Sequence, residues 1–356
     1  MVLLYKWKGD FMLLKDDKLS LYRKEIMGVA IILIMISHNT MDFPGFLHNI
    51  NSGIKMLCQV GVDLFFFYSG YGCFFSMKRN RNALLFYKKR IVRLIPAYLV
   101  VCFLFSVYRC IVYGNSVKEC IWNYSLISFY TDAVLTEWFI AAIIVMYLLF
   151  PLIFALVDKK EIIAEALVLI LVTIVVLAFF GITFLRGTPR VVLDIFGSRV
   201  PAFLIGTIMA KRSLEGKKVN RYLVALLAIL GIISCAACLY MYKVNIRNYW
   251  TAIRTLFIFV GALVIIIWVL LREKSKGGKA SEKISGWMAF LGGITLEIYL
   301  THEKILAVTS DVVYHFINQQ TYALQFVINV LAVVISIFAA YCLKRIIDVF
   351  FKKKTQ

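Results

Sequence analysis

Charged residues are few in this sequence. Asp, Glu, Lys and Arg make up 17% of its 356 residues, against about 25% in an ordinary soluble domain. Acidic residues are fewest, 20 against 40 basic ones. The chain has no P-loop, no G-x-G-x-x-G and no Cys/His cluster at zinc-ligand spacing. That argues against a nucleotide held on backbone amides and against a structural metal, so no metal is expected. No soluble domain, repeat or low-complexity linker stands out. The basic N-terminal stretch is not followed by a short apolar core and a small-residue cleavage site, so no signal peptide is expected. What fills the chain is apolar: 62% hydrophobic residues and a mean hydropathy of +0.83. One soluble core of this size cannot bury that much. A cytosolic enzyme, a secreted domain and a disordered scaffold are excluded, and a polytopic membrane protein remains.

A hydrocarbon core about 30 Å thick takes about 20 helical residues to cross. Ten stretches qualify as candidate spans: 26–45, 54–77, 94–113, 138–157, 162–184, 197–210, 222–241, 250–271, 285–304 and 322–343. Only helices satisfy their own backbone in lipid, so the expected fold is an all-α bundle of about ten transmembrane helices. Orientation follows from the basic residues in short loops. With the N-terminus inside, the alternate segments hold 30 of the 40 Lys and Arg. Both termini are then cytoplasmic: a tail at 1–25, a membrane domain at 26–343 and a basic tail at 344–356. The basic excess is a topology signal, and no nucleic-acid partner is expected. The partner is the lipid bilayer, and the location is the cell membrane, crossed many times. The eight cysteines lie mostly in apolar runs. Cys235 and Cys238 have C-x-x-C spacing inside such a run, which reads as buried and reduced.

Ionisable groups at membrane depth are costly and mark sites. His38 lies about seven residues from the outer end of the first span, and Asp63 about nine residues into the second. Sequential antiparallel spans would bring them to matching depth, where a carboxylate on one ring nitrogen leaves the other as a base. The alternative is a His–Asp pair that only packs helices. Glu137, Arg199, Glu297 and His302 are further polar groups in the outer half. On the inner side Lys24, Arg90 and Arg93 flank spans. They read either as snorkelling to lipid phosphate or as contacts to an anionic cytoplasmic ligand.

Six blocks occur in order: KEIMGVAIILIMISHN, GVDLFFFYSGYGCFF, FYKKRIVRLIPAY, TEWFIAAIIVMYLLFPLI, SRVPAFLIG and LGGITLEIYLTH. Together they resemble the membrane-bound acyltransferase 3 family. The resemblance implies transfer of an acyl group, usually acetyl, from cytoplasmic acyl-CoA to a hydroxyl of an extracytoplasmic glycan or glycolipid. Acyl-CoA is then a co-substrate, and no bound cofactor is implied. The family's first-span motif is a basic residue, ten residues, then His. His38 matches the His, but the basic position falls on Met27. Arg23 and Lys24 stand one helical turn toward the cytoplasm, and Lys24 is the expected substitute. The arginine block matches Arg90 and Arg93, the Ser-Gly block Ser69 and Gly70, and the last block Tyr299 and His302.

The resulting expectation has His38, oriented by Asp63 or Glu137, take the proton of an acceptor hydroxyl as it attacks the thioester. Ser69, Tyr71, Arg199 and His302 are the candidates for binding the acceptor or the developing oxyanion. Lys24, Arg90 and Arg93 are the expected donor contacts. An acyl-His intermediate is a second route left open. The competing function is a flippase or transporter of an anionic lipid or glycan, which would use the same polar cluster as a substrate path. A third is a membrane domain within a sensor or resistance complex.

Overall fold

A computed structural model describes residues 18–159, 187–245, 249–317 and 321–351. Among the described residues every regular element is helical. The chain enters through α1 (Lys18–Leu21) and α2 (Arg23–Ser37), then α3 (Gly45–Cys58) and α4 (Val60–Arg79), which are nearly continuous across Gln59. The long α5 (Ala83–Tyr113) starts where the Asn82 side chain accepts from Leu85 N–H, and stops where Gly114 turns left-handed at φ 68°. Two short helices, α6 (Val117–Asn123) and α7 (Ser128–Asp132), lead to α8 (Trp138–Lys159). Then come α9 (Thr188–Ile195), a 3-10 turn at Gly197–Arg199, and α10 (Val200–Leu214). The chain closes with α11 (Arg221–Val244), α12 (Tyr249–Lys274), α13 (Lys279–Gly293), α14 (Thr295–Phe316) and α15 (Tyr322–Phe351).

Among the described residues seven helical stretches are long and apolar enough to cross a membrane, or eight if α13 and α14 count as one bent span. This differs from the ten expected. The stretch 162–184 lies outside the described residues. The first expected span, 26–45, stops at Ser37: its 15 residues reach only about 22 Å at 1.5 Å each. The cause is local. The amide of Asn39 donates to the carbonyl of Ile36 at 2.8 Å, closing the helix end, and Pro44 keeps the residue before it out of helix. The ninth, 285–304, is broken at Ile294 with a 79° bend between α13 and α14, directly after the Gly292–Gly293 pair.

Glycines set the two closest crossings. A Cβ on Gly28 of α2 would lie 2.0 Å from the Met288 carbonyl oxygen, and one on Gly292 of α13 would lie 1.8 Å from the Lys24 carbonyl oxygen. The same exchange joins α4 to α10: Gly70 against the Phe203 carbonyl oxygen at 2.0 Å, Gly206 against that of Phe67 at 1.9 Å. Membrane helices lack a hydrophobic drive to associate, so small residues that admit close backbone contact hold them. A buried polar knot adds to the first crossing. Glu25 of α2 receives Arg272 Nε at 3.0 Å and Trp268 Nε1 at 3.0 Å from α12, and the Ser285 hydroxyl at 2.6 Å from α13. Crossing and knot together place the far end of α2.

Candidate active site

That far end carries His38, the residue that caps α2. Its Nε2 lies 2.8 Å from Glu303 Oε1, and its Nδ1 lies 3.2 Å from His302 Nε2. Both partners come from α14, just beyond the bend. The two rings sit 5.1 Å apart and tilted by 58°. The His302 side chain is 6% exposed, against 39% for His38 and 52% for Glu303. His38 and Glu303 are therefore the open members of the cluster, with His302 behind them.

Hydrogen positions follow from the partners. His302 Nδ1 faces the carbonyl oxygens of Ile298 and Tyr299 at 3.0 and 2.8 Å. It therefore donates, and Nε2 keeps the lone pair. His38 Nδ1 faces that lone pair and the Ile34 carbonyl oxygen at 3.0 Å. It too donates. The short contact from His38 Nε2 to Glu303 then needs a proton between them, shared by imidazole and carboxylate. The donor atoms of His38, His302 and Glu303 all lie within 4.8 Å of one another. Two imidazoles and a carboxylate suit a zinc-like cation, and the proton arrangement accounts for the same atoms without one.

The expected orienting acids are elsewhere. Asp63, in the first turn of α4, lies 3.7 Å from Arg199 Nε in a fully buried pair. Glu137 receives Lys304 at 2.5 Å, with the Cys102 thiol at 3.7 Å. The expectation of a His38–Asp63 contact counted His38 as lying within a helix that in fact ends before it. With α2 short and α3 interposed, the imidazole turns to α14 instead. Arg199 is held in place away from His38: it donates to the Ile195 carbonyl at 2.5 Å and lies 5.0 Å over the Trp138 ring. Asp194 pairs with Arg254 beside it. Tyr71 donates to Ser213 at 3.4 Å, so it is not among the groups around His38. Outside the spanning helices burial pushes the phenol of Tyr124 up, and that of Tyr130 up to about 12. Both remain neutral, and the Tyr124 ring lies 5.8 Å below the Lys304 ammonium.

A small cavity of about 70 Å³ lies beside this region. Met27, Ser69, Arg90, Arg93, Tyr147 and Tyr299 are among its lining residues. Tyr299 is also one of the two residues whose carbonyls hold His302. Tyr299 thus links the arginines to the histidine pair. Arg90 donates to the Gly72 carbonyl at 3.4 Å and lies 5.0 and 5.3 Å over the Phe86 and Tyr147 rings. Lys24 is exposed, as Arg93 is, and unlike the two arginines it does not line the cavity. Glu303 went unread in the sequence, although three consecutive ionisable residues, His302, Glu303 and Lys304, at the end of an apolar stretch were a signal for it.

A polar cluster, with His302 buried and His38 and Glu303 open, set among helices apolar enough to cross a membrane fits the integral-membrane class. The family model described as "Acyltransferase domain", that of the acyltransferase 3 family, matches residues 28–344. The chain belongs to that family, and it is a multi-pass membrane acyltransferase. Comparison with curated proteins and with solved structures gave no match.

Proposed function

We propose that this acyltransferase moves an acyl group, in the simplest case acetyl, from cytoplasmic acyl-CoA to a hydroxyl of an extracytoplasmic glycan or glycolipid at the cell membrane. The observation that carries this reading is the shared residue: Tyr299 lines one cavity with Arg90 and Arg93, and its carbonyl holds His302 of the His302–His38–Glu303 cluster. The donor's phosphates rest with Arg90 and Arg93, whose forked guanidinium groups suit phosphoryl oxygens. The thioester reaches along the cavity past Ser69.

At the outer end the His38–Glu303 dyad acts as general base once its shared proton has left. The acceptor hydroxyl gives its proton to His38 as its oxygen attacks the thioester carbonyl. The C–S bond then breaks, and the thiolate leaves with a proton returned by the imidazolium. His302 holds the ring of His38 through Nδ1. It is a positioning residue and is itself fixed by two backbone carbonyls.

The test uses purified full-length protein in lipid nanodiscs with acetyl-CoA and cell-surface glycan or glycolipid acceptors. Thiol release coupled to acylated acceptor is the expected result. His38→Ala should keep its melting profile and lose about 10²-fold or more in rate. A folded wild-type protein that releases no thiol from any acyl-CoA would overturn the reading. So would a His38→Ala variant with near-normal rate.

A further inference from the structure

Helix α5 counts 31 residues, about 46 Å at 1.5 Å each. That exceeds a hydrocarbon core of about 30 Å, so its two ends lie on opposite faces of the membrane. The Ala83 end belongs to the basic segment at 78–93. With that segment in the cytoplasm, the Tyr113 end and α6 lie outside, where disulfides persist. At this outer end Cys110 of α5 and Cys120 of α6 face each other, with their Sγ atoms 3.7 Å apart. Two other thiols are turned to oxygen instead: Cys102 to Glu137, and Cys238 to the Ile253 carbonyl. The turn between Cys110 and Cys120 is built by its own groups. Gly114 takes the left-handed conformation. Ser116 caps α6 by accepting from Glu119 N–H at 3.2 Å. Asn115 accepts from Arg109 Nε at 3.4 Å and donates to Glu119 Oε1 at 2.8 Å. The two sulfurs are thus in contact before any bond joins them. A disulfide draws them to about 2 Å, a closure shared between two rotatable side chains.

We infer that Cys110 and Cys120 are a modification site: on the outer face they join as a disulfide that fastens α6 to the end of α5. This rests on the sidedness given by charge, and is independent of which acyl donor and acceptor the enzyme takes. The co-reactant is a disulfide-bearing oxidant of the outer compartment. The half-buried Cys110, as thiolate, attacks one sulfur of that oxidant, and the other sulfur leaves as a thiol. The buried Cys120 then attacks the Cys110 sulfur and displaces the rest of the oxidant, also as a thiol. One S–S bond forms in the protein and one breaks in the oxidant, which carries away two electrons and two protons. The bond braces a wall of the site. Helix α6 ends at Tyr124, whose carbonyl accepts from the Tyr98 hydroxyl of α5 and whose ring lies beneath the Lys304 ammonium. Lys304 follows Glu303 in α14 and pairs with Glu137.

The experiment maps the bond in the full chain. Cells carrying the protein are dissolved directly in denaturing detergent with N-ethylmaleimide, and the protein is digested with trypsin without reductant. Cleavage after Arg109 and Lys118 leaves the peptide 110–118 and the peptide that begins at Glu119 joined by that bond alone. The joined pair, lighter by two hydrogens than the sum of its parts and separated by reductant, is the expected result. Maleimide on both cysteines overturns the inference. In nanodiscs, reductant should lower the melting temperature of the wild type by about 4 °C or more, the scale of one disulfide in a chain of this size. Cys120→Ser should melt like the reduced wild type and ignore reductant, and Cys110→Ser serves if Cys120→Ser is not folded. Cys235→Ser, on α11, should respond to reductant as the wild type does. A joined pair whose reduction leaves the melting curve unmoved overturns the bracing role. A response to reductant that persists in a folded Cys120→Ser or Cys110→Ser assigns the effect to other thiols and overturns it as well.

Discussion

At the residue scale the pair to separate is Glu303 and Asp63. Both are carboxylates, and only Glu303 touches His38. Glu303→Gln removes the acceptor that holds the shared proton on the imidazole. The acid limb of the pH–rate profile should then move to lower pH by about one unit, because the imidazolium loses an opposite charge in contact. Asp63→Asn leaves Arg199 buried beside a neutral group. Breaking a buried pair costs about 3–5 kcal/mol, so this variant should melt earlier and keep an unmoved acid limb in the fraction that folds. The opposite pattern, with Asp63→Asn shifting the limb and Glu303→Gln not, would restore the pairing expected from the sequence. His38 itself was legible, since an imidazole in an otherwise apolar stretch has few bland explanations. Its partner was not, because depth along a helix says nothing of which neighbouring helix the side chain faces.

At the element scale the site depends on where α2 ends and where α13 turns into α14. Both events bring side chains from distant sequence positions to one point. The lengths of these elements were misread by a hydropathy count, which sees apolar residues and not the Asn39 amide closing a helix or a 79° break at Ile294. The expected spans 138–157, 222–241 and 250–271 agree with their helices within three residues, because lipid leaves the backbone no other choice, whereas α5 begins eleven residues before its expected span and α15 runs eight beyond. The reciprocal glycine crossings were not legible either: glycine in an apolar run carries no sign of its partner. They yield a firm expectation. Gly206 lies where even a Cβ would be 1.9 Å from the Phe67 carbonyl oxygen. Gly206→Val must therefore separate α4 from α10. It should reduce the yield of monodisperse protein and lower the melting temperature by several degrees, whereas Gly286→Val, with nothing near its Cβ position, should leave both unchanged. Equal behaviour of the two would mean that the crossing is not as close as described.

At the scale of the whole molecule, charge and geometry make one statement about sidedness. The arginines of the cavity belong to the basic segment at 78–93, and Tyr299, whose carbonyl holds His302, lines the same cavity. Placing the basic segment in the cytoplasm puts the dyad toward the outer face, as the donor and acceptor reading requires. A cysteine at Lys118, exposed in α6, should react with an impermeant maleimide added outside intact cells. One at Arg79, exposed at the end of α4, should react only after permeabilisation. Labelling in the reverse order would invert the topology and with it the direction of transfer.

Composition alone determined that this chain lives in a bilayer as helices, since apolar surface in such excess has no other stable place and lipid satisfies no backbone group. The ordered blocks determined the family, and His38 with Arg90 and Arg93 as the residues to watch. Tertiary structure decided the rest. It joined His38 to Glu303 and His302, sent Asp63 to Arg199, and brought Arg23 rather than Lys24 to Gly72 beside Arg90. The physical reason is the same in each case. Hydropathy and spacing fix how far along a helix a group lies. Which way it faces, and what meets it there, depends on crossings set by single glycines and on where helices stop.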